Sequence, residues 1–153
     1  MKGNYVLAVC ALFVACVFAY GQSRIAYADQ LQVVFLNVGQ GNATYIRTPS
    51  GTELLIDTGA NLAGLRELSN YRPWWDRHLD YLILTHPDMD HIGAAANVLQ
   101  RFEIGAVVTN NKRNDNGVDA AVLQELVDGT ETVHIVQAGD RIETNDQVEL
   151  QVL

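Results

Sequence analysis

Four side chains that can bind a metal lie within one stretch of seven residues, T-H-P-D-M-D-H (85–91). They are His86, Asp88, Asp90 and His91. Two carboxylates brought together without a cation would repel each other, and a divalent metal removes that conflict. Imidazole nitrogens and carboxylate oxygens together suit Zn²⁺ or Mn²⁺. The pattern therefore predicts a metal site, and a solvated polar loop is the alternative interpretation.

A strand and a helix flank these residues and would hold them in place. The run D-Y-L-I-L-T (80–85) predicts a strand directly before them, and Pro87 fixes one backbone angle within the loop. An Ala-rich helix is predicted at about 92–102, so its N-terminal amides would face the anionic cluster. We therefore expect the metal site where a strand ends and a helix begins.

Short runs rich in branched and aromatic residues predict further strands at 31–36, 43–47 and 53–57. Their short connections favour antiparallel neighbours. Together the elements predict a mixed α/β domain with a layered sheet. Because the chain ends inside an expected strand, we predict a fragment whose remaining part would pair with that strand. The other predicted elements are a helix at 61–70, a strand at 106–110, a helix at 118–127 and strands near 132–137 and 147–153.

The composition is that of an ordinary globular domain. Of the 153 residues, 48% are hydrophobic and 18% are charged, which excludes a disordered or collagen-like chain. The net charge is −8, so the overall charge of the protein would repel a nucleic acid. Such a partner would need local basic groups or a metal to bind. Both cysteines, Cys10 and Cys16, lie near the N-terminus, so the rest of the chain has neither disulfides nor thiolate ligands.

An uncharged apolar run of 16 residues, from Tyr5 to Tyr20, precedes the predicted strands. Its length lies between a signal-peptide core of about 7 to 15 residues and a membrane-spanning helix of about 17 to 25. We predict that residues 1–28 form a membrane anchor or a signal segment and that residues 29–153 form a separate domain. That domain would be anchored with its bulk outside the cytoplasm, or secreted or periplasmic.

Three motifs in order resemble the metallo-β-lactamase fold: F-L-N-V-G-Q-G-N-A (35–43), L-L-I-D-T-G (54–59) and T-H-P-D-M-D-H-I-G (85–93). The combination is most similar to the extracytoplasmic hydrolase domain of the ComEC competence DNA-uptake family. The resemblance implies an αββα sandwich, of which this chain would hold the N-terminal half after a hydrophobic helix. It also implies metal-dependent hydrolysis of phosphodiesters in single- or double-stranded DNA. An exported small-molecule or ester hydrolase and a non-catalytic truncated fragment are the alternatives.

The resemblance also implies a role for each residue of the metal-binding stretch. His86 and Asp88 would hold one divalent ion, and Asp90 and His91 would hold a second, with zinc or manganese as the metal. Asp90 would in addition orient the attacking water or accept a proton from it, which makes it the predicted catalytic residue. The implied reaction is hydrolysis by a metal-activated water.

Asp57, in the D-T-G turn, resembles the family's buried aspartate, which orients the metal-binding loop through hydrogen bonds. An aspartate that only ends a strand and caps a turn is the alternative interpretation. The family commonly has Asp where this chain has Asn37 and Asn42. Asparagine keeps the hydrogen bonding at those positions but removes the charge.

Five other residues are weaker candidates. Trp74 and Trp75 could stack on bases, but we expect them to pack a helix against the next strand. His78 is expected at the surface. Lys112 and Arg113 could contact a phosphate, although a solvated turn is the favoured interpretation.

Overall fold

A computed structural model describes residues 2–25, 29–110, 132–144 and 146–153. The chain forms two compact units, Met1–Gln30 and Leu31–Leu153. The predicted helix at 118–127, Lys112 and Arg113 lie outside the described residues.

The first unit is built around helix α1 (Lys2–Ile25). The side chains of residues 5–18 are exposed. In the part of the chain that the structure describes, no helix combines the length and the apolar character needed to cross a membrane. The anchor or signal segment over residues 1–28 stays a prediction.

The second unit contains most of the predicted elements, with shifted ends. One element that the sequence did not predict is a strand at Arg141–Glu143, where a single isoleucine lies between two charged residues. Such a short run has too little apolar periodicity to indicate a strand. The elements of this unit are β1 (Gln32–Phe35), β2 (Thr44–Arg47), β3 (Glu53–Ile56), α2 (Ala63–Leu68), β4 (His78–Leu84), α3 (Met89–Ile92), α4 (Ala95–Arg101), β5 (Glu103–Thr109), β6 (Val133–Ile135), β7 (Arg141–Glu143) and β8 (Glu149–Gln151).

Six strands form one mixed sheet in the order β1 to β6. The first three are antiparallel neighbours, as their short connections predicted. From β3 to β6 the pairing is parallel, so the carboxyl ends of these strands lie at one edge of the sheet. Ile56 pairs with Ile83, which fixes the ends of β3 and β4 side by side. Strands β7 and β8 form a separate antiparallel pair.

Side chains alternate between the two faces of the large sheet, as a pleated strand requires. One face packs against α2, α3 and α4, and the other packs against β7 and β8. Burying a Val, Leu or Ile side chain stabilises the fold by about 1.5–3 kcal/mol, so these contacts hold the strand ends rigidly. Residues of the helix-covered face include Tyr45, Leu55, Leu82 and Val107, with Leu68 and Val98 from the helices. Those of the other face include Leu54, Ile83 and Val108, with Ile142 and Leu150 from the small sheet.

The expectation that Trp74 and Trp75 pack a helix against a strand is wrong. Their side chains are 79% and 58% exposed. Arg72, just before them in the chain, is buried instead, and its guanidinium lies 4.9 Å from the centre of the Phe102 ring. His78 is exposed, as predicted.

Candidate metal centre

The backbone at the ends of β3 and β4 places the first residues of the site. Asp57 follows β3 with φ of 56°, a left-handed conformation that aspartate tolerates better than most residues. Its backbone N–H donates to the carbonyl of Ile83 at 2.8 Å, so Asp57 is held against the neighbouring strand. Thr85 follows β4 at the same edge of the sheet. The two residues therefore meet because their strands are parallel and in register.

Helix α3 supplies the next residues, and it is separate from α4, which corresponds to the helix predicted at about 92–102 but begins only at Ala95. Asp88 is its N-cap residue, and Asp90 and His91 lie within the helix. The carbonyl oxygen of His91 accepts three hydrogen bonds, from Thr58 N at 2.7 Å, Thr58 Oγ1 at 3.0 Å and Gly59 N at 3.1 Å. These bonds attach the helix to the turn that carries the other half of the site.

Asp57 links the two histidines through a chain of hydrogen bonds. Its Oδ1 accepts from Thr85 N at 2.9 Å, and its Oδ2 accepts from Thr85 Oγ1 at 2.7 Å. The same Oδ2 lies 2.7 Å from His91 Nδ1. Thr85 Oγ1 lies 3.0 Å from His86 Nδ1. Each hydroxyl has a single proton, so Thr85 can donate only once.

These hydrogen bonds determine which nitrogen of each imidazole carries the proton. A carboxylate can only accept, so the proton between Asp57 and His91 is on His91 Nδ1. Thr85 donates its proton to Asp57, so its oxygen accepts from His86 Nδ1. Both histidines therefore have a lone pair on Nε2, which is the form of imidazole that binds a metal.

Asp57, His86 and His91 lie close together at this end of the sheet. One potential ligand atom from each lies within 4.8 Å of the others, and the two imidazole centres are 3.6 Å apart. The Asp57 and His91 side chains are 4% and 12% exposed, and that of His86 is 38% exposed. The site is thus rigid on one side and open to solvent on the other. The two imidazoles offer nitrogen donors that fit Zn²⁺ or Mn²⁺, and Asp57 lies behind His91, where its Oδ2 is bonded to Nδ1.

The predicted ligands are brought together only in part. His86 and His91 lie in the three-residue cluster, and His86 Nε2 is 3.5 Å from Asp88 Oδ2. The side chains of Asp88 and Asp90 are not members of that cluster. Asp57 is the third member of the cluster, and its Oδ2 is bonded to Nδ1 of His91. The division of the ligands between two metal ions stays a prediction.

The sequence did not identify two residues, Gly41 and Asn110, that help to position the site. Gly41 has φ of 96°, and a Cβ there would lie 1.8 Å from the backbone oxygen of Asp90. Asn42 N donates to the same oxygen at 3.2 Å, so only a glycine lets this turn reach α3. Asn110 Nδ2, at the end of β5, donates to the carbonyl of Thr85 at 2.7 Å. The signals were the paired glycines of G-Q-G-N and a polar residue ending a buried strand.

Two relatives share part of their sequence with this chain. It is 27% identical over 137 residues to ComE operon protein 3 of Bacillus subtilis (strain 168), covering 75% of this chain and 17% of that protein. It is 38% identical over 88 residues to Recombination protein 2 of Haemophilus influenzae (strain ATCC 51907 / DSM 11121 / KW20 / Rd), covering 54% of this chain and 11% of that protein. The chain therefore spans less than a fifth of the length of these two relatives.

Two solved structures and one family model also match. A new diphosphatase from the PhnP family is 19% identical, with a TM-score of 0.46, over 67% of this chain and 40% of its own. Rubredoxin oxygen:oxidoreductase from the anaerobe Desulfovibrio gigas is 14% identical, with a TM-score of 0.43, over 74% of this chain and 32% of its own. The family model matches residues 36–145, which include all three residues of the cluster. The chain belongs to the metallo-beta-lactamase superfamily.

Proposed function

We propose that this chain carries metal-binding residues of a hydrolase that cleaves phosphodiester bonds in nucleic acids. The observation that carries the proposal is the convergence of Asp57, His86 and His91 at the end of two parallel strands. Membership of the superfamily supports metal-dependent hydrolysis. One of the two relatives is named for recombination, which supports DNA as the substrate.

The roles proposed for individual residues rest on the superfamily, whose metal-binding loop the 85–91 stretch resembles. His86 and Asp88 would hold one divalent ion, zinc or manganese, and Asp90 and His91 would hold the other. When bound, such ions supply a hydroxide nucleophile at neutral pH and neutralise charge on a phosphate. Asp90 lies in the first turn of α3, and it would orient the attacking water or accept its proton. Asp57 keeps the proton of His91 on Nδ1.

The fold supports a finer architectural proposal as well. Helices cover one face of the large sheet, and the two-stranded sheet packs on the other. We propose that these layers belong to the N-terminal half of a four-layer αββα sandwich. We also propose that the domain works outside the cytoplasm, on the basis of the apolar run from Tyr5 to Tyr20. Fractionation of cells that express the chain would test the location, and recovery in the cytoplasm alone would refute it.

Metal content and hydrolysis of DNA test the function. The purified chain is loaded with zinc or manganese, its metal content is measured by atomic spectroscopy, and it is assayed on single-stranded DNA, double-stranded DNA and a carboxylic ester. H91A is expected to lose metal and DNA hydrolysis together. H78A is the matched control, because His78 is an exposed histidine outside the cluster and its variant should keep both.

Each other outcome favours a different function. Metal binding with hydrolysis of the ester but not of DNA would favour a small-molecule or ester hydrolase. Absence of bound metal would favour a non-catalytic fragment. An H78A variant as impaired as H91A would show that the loss in H91A is not specific to the cluster.

A further inference from the structure

Aromatic and arginine side chains form a surface at the edge of the sheet opposite the metal centre. This aromatic–arginine surface consists of Trp74, Trp75, Arg77 and Arg101. The first three precede β4, which begins at His78, and Arg101 ends α4 just before β5. The metal centre lies instead at the carboxyl ends of the parallel strands. The surface is therefore a separate feature of the domain.

The tryptophans present their rings to solvent. The Trp74 side chain is 79% exposed, and the Trp75 side chain is 58% exposed. Their ring centres are 5.6 Å apart and their planes are 84° apart, so the two rings meet edge to face. Large aromatic side chains this exposed gain little from folding, and exposed aromatic surface commonly marks a binding site.

Two exposed arginines, Arg77 and Arg101, have no carboxylate partner among the described residues. Arg77 and Arg101 are exposed, and neither forms an ion pair with any residue that the structure describes. Arg72, nearby, differs because its guanidinium is 2.7 Å from Glu53 Oε2 and 3.3 Å from Asp76 Oδ1. Those carboxylates neutralise Arg72. The local positive charge therefore comes from Arg77 and Arg101, on a chain whose net charge is −8.

A shallow pocket connects the two kinds of side chain. It lies between α2 and the end of α4, and Trp74, Arg77, Arg101 and Phe102 are among the residues that line it. A flat ring can stack on Trp74 while an anionic group attached to that ring reaches one of the arginines. Single-stranded nucleic acid offers this combination, with unpaired bases joined by phosphates. A duplex fits less well, because its bases are already stacked on one another.

We propose that the aromatic–arginine surface binds single-stranded nucleic acid. The exposed rings of Trp74 and Trp75 suit stacking on unpaired bases, and a membrane surface is the alternative that the assay separates from it. The proposal rests on the proposed function and extends it, because it gives the nucleic acid a binding contact away from the metal centre.

The two tryptophans provide the assay, because they are the only ones in the sequence and both belong to the surface. The full chain is kept metal-free with EDTA and titrated with an oligothymidylate of about 12 nucleotides, a length within the usual site sizes for single strands. Tryptophan emission is expected to be quenched. W74A is expected to raise the Kd roughly 5- to 150-fold, which corresponds to the loss of one base stack. W74F should restore most of the affinity, because it restores the stacking.

A second arm measures the arginines. R77A and R101A should each lower the slope of log Kd against log salt by about 0.7, the contribution of one phosphate contact to a single strand. R141A is the control, because Arg141 is an exposed arginine of the separate two-stranded sheet, where its charge is paired with Glu149 at 3.3 Å. Its slope should equal that of the parent chain.

Three outcomes would overturn the proposal. They are an absence of quenching by the oligonucleotide, an unchanged Kd in W74A, and stronger binding to vesicles of phosphatidylglycerol than to the oligonucleotide. The last outcome would identify the surface as a membrane contact. Because the titration is done without metal, failure of metal loading or of DNA hydrolysis leaves this proposal standing. Failure of quenching likewise leaves the metal centre standing.

Discussion

Replacing Asp57 by Asn tests the hydrogen-bond chain that joins the two histidines. Asparagine keeps the Oδ1 acceptor for Thr85 N, but it puts an NH₂ group where Oδ2 accepts from Thr85 and faces His91 Nδ1 at 2.7 Å. An NH₂ group can only donate, so His91 Nδ1 must become an acceptor and its proton must move to Nε2. The lone pair that would bind the metal is then lost unless that proton is removed.

The magnitudes follow from the bonds affected. Three hydrogen bonds to a charged group, worth about 1.5–3 kcal/mol each, become neutral bonds worth about 0.5–1.5 kcal/mol each. We therefore expect D57N to lower the free energy of unfolding by about 3–4 kcal/mol. Substitution of a group that orients a metal-bound histidine typically weakens metal binding by about 10- to 100-fold, and we expect a loss in this range.

Urea denaturation and calorimetric zinc titration measure these two effects. D80N is the matched control, because Asp80 Oδ2 accepts from Glu53 N at 2.8 Å at the other end of β4. It should lower stability by about 0.5–1.5 kcal/mol and leave the zinc Kd unchanged. An unchanged zinc Kd in D57N would refute the positioning role. A loss far beyond 100-fold would refute it too, because it would make Asp57 a direct ligand.

Three shorter predictions concern other contacts. T85V should weaken zinc binding by about 10-fold in the same titration, because it removes the oxygen that orients His86, and T85S should restore it. G41A should lower the thermal midpoint more than G39A, since both glycines have positive φ but only at Gly41 would a Cβ strike backbone; equal losses would contradict this. The Thr144 hydroxyl holds the pKa of Asp146 below its ordinary 3.8, so D146N should be less thermostable than the parent at pH 7. That difference should shrink as the pH falls below 3.8 and the parent's carboxylate takes up its proton.

Local sequence was sufficient for much of the fold. The branched runs at 43–47 and 53–57 correspond to β2 and β3, and their short connection correctly predicted antiparallel pairing. The metal-binding stretch follows β4 as expected, because strand and loop adjoin in the chain. These features depend on patterns within about ten residues, which propensity and turn chemistry determine.

The features that the sequence did not predict depend on packing between residues far apart in the chain. Asp57 reaches the imidazoles because β3 and β4 pair in parallel with Ile56 beside Ile83, and no local pattern encodes that register. In the loop before β4, Trp74 is exposed while Arg72 is buried against Phe102, a residue distant in the sequence. Hydrophobicity alone predicted the wrong side chains to be buried there.

The contact between Asp57 and His91 joins residues 34 positions apart in the sequence. It depends on the parallel pairing of β3 and β4, so the site forms only when these strands pair during folding. Parallel pairings close long loops and therefore form late. An unfolded chain offers a cation only the local donors of the 85–91 stretch, so the cation binds the native state more tightly. Zinc at 100 times its Kd would then add about 2.7 kcal/mol to stability. Metal availability would in this way govern how much of the protein survives proteolysis.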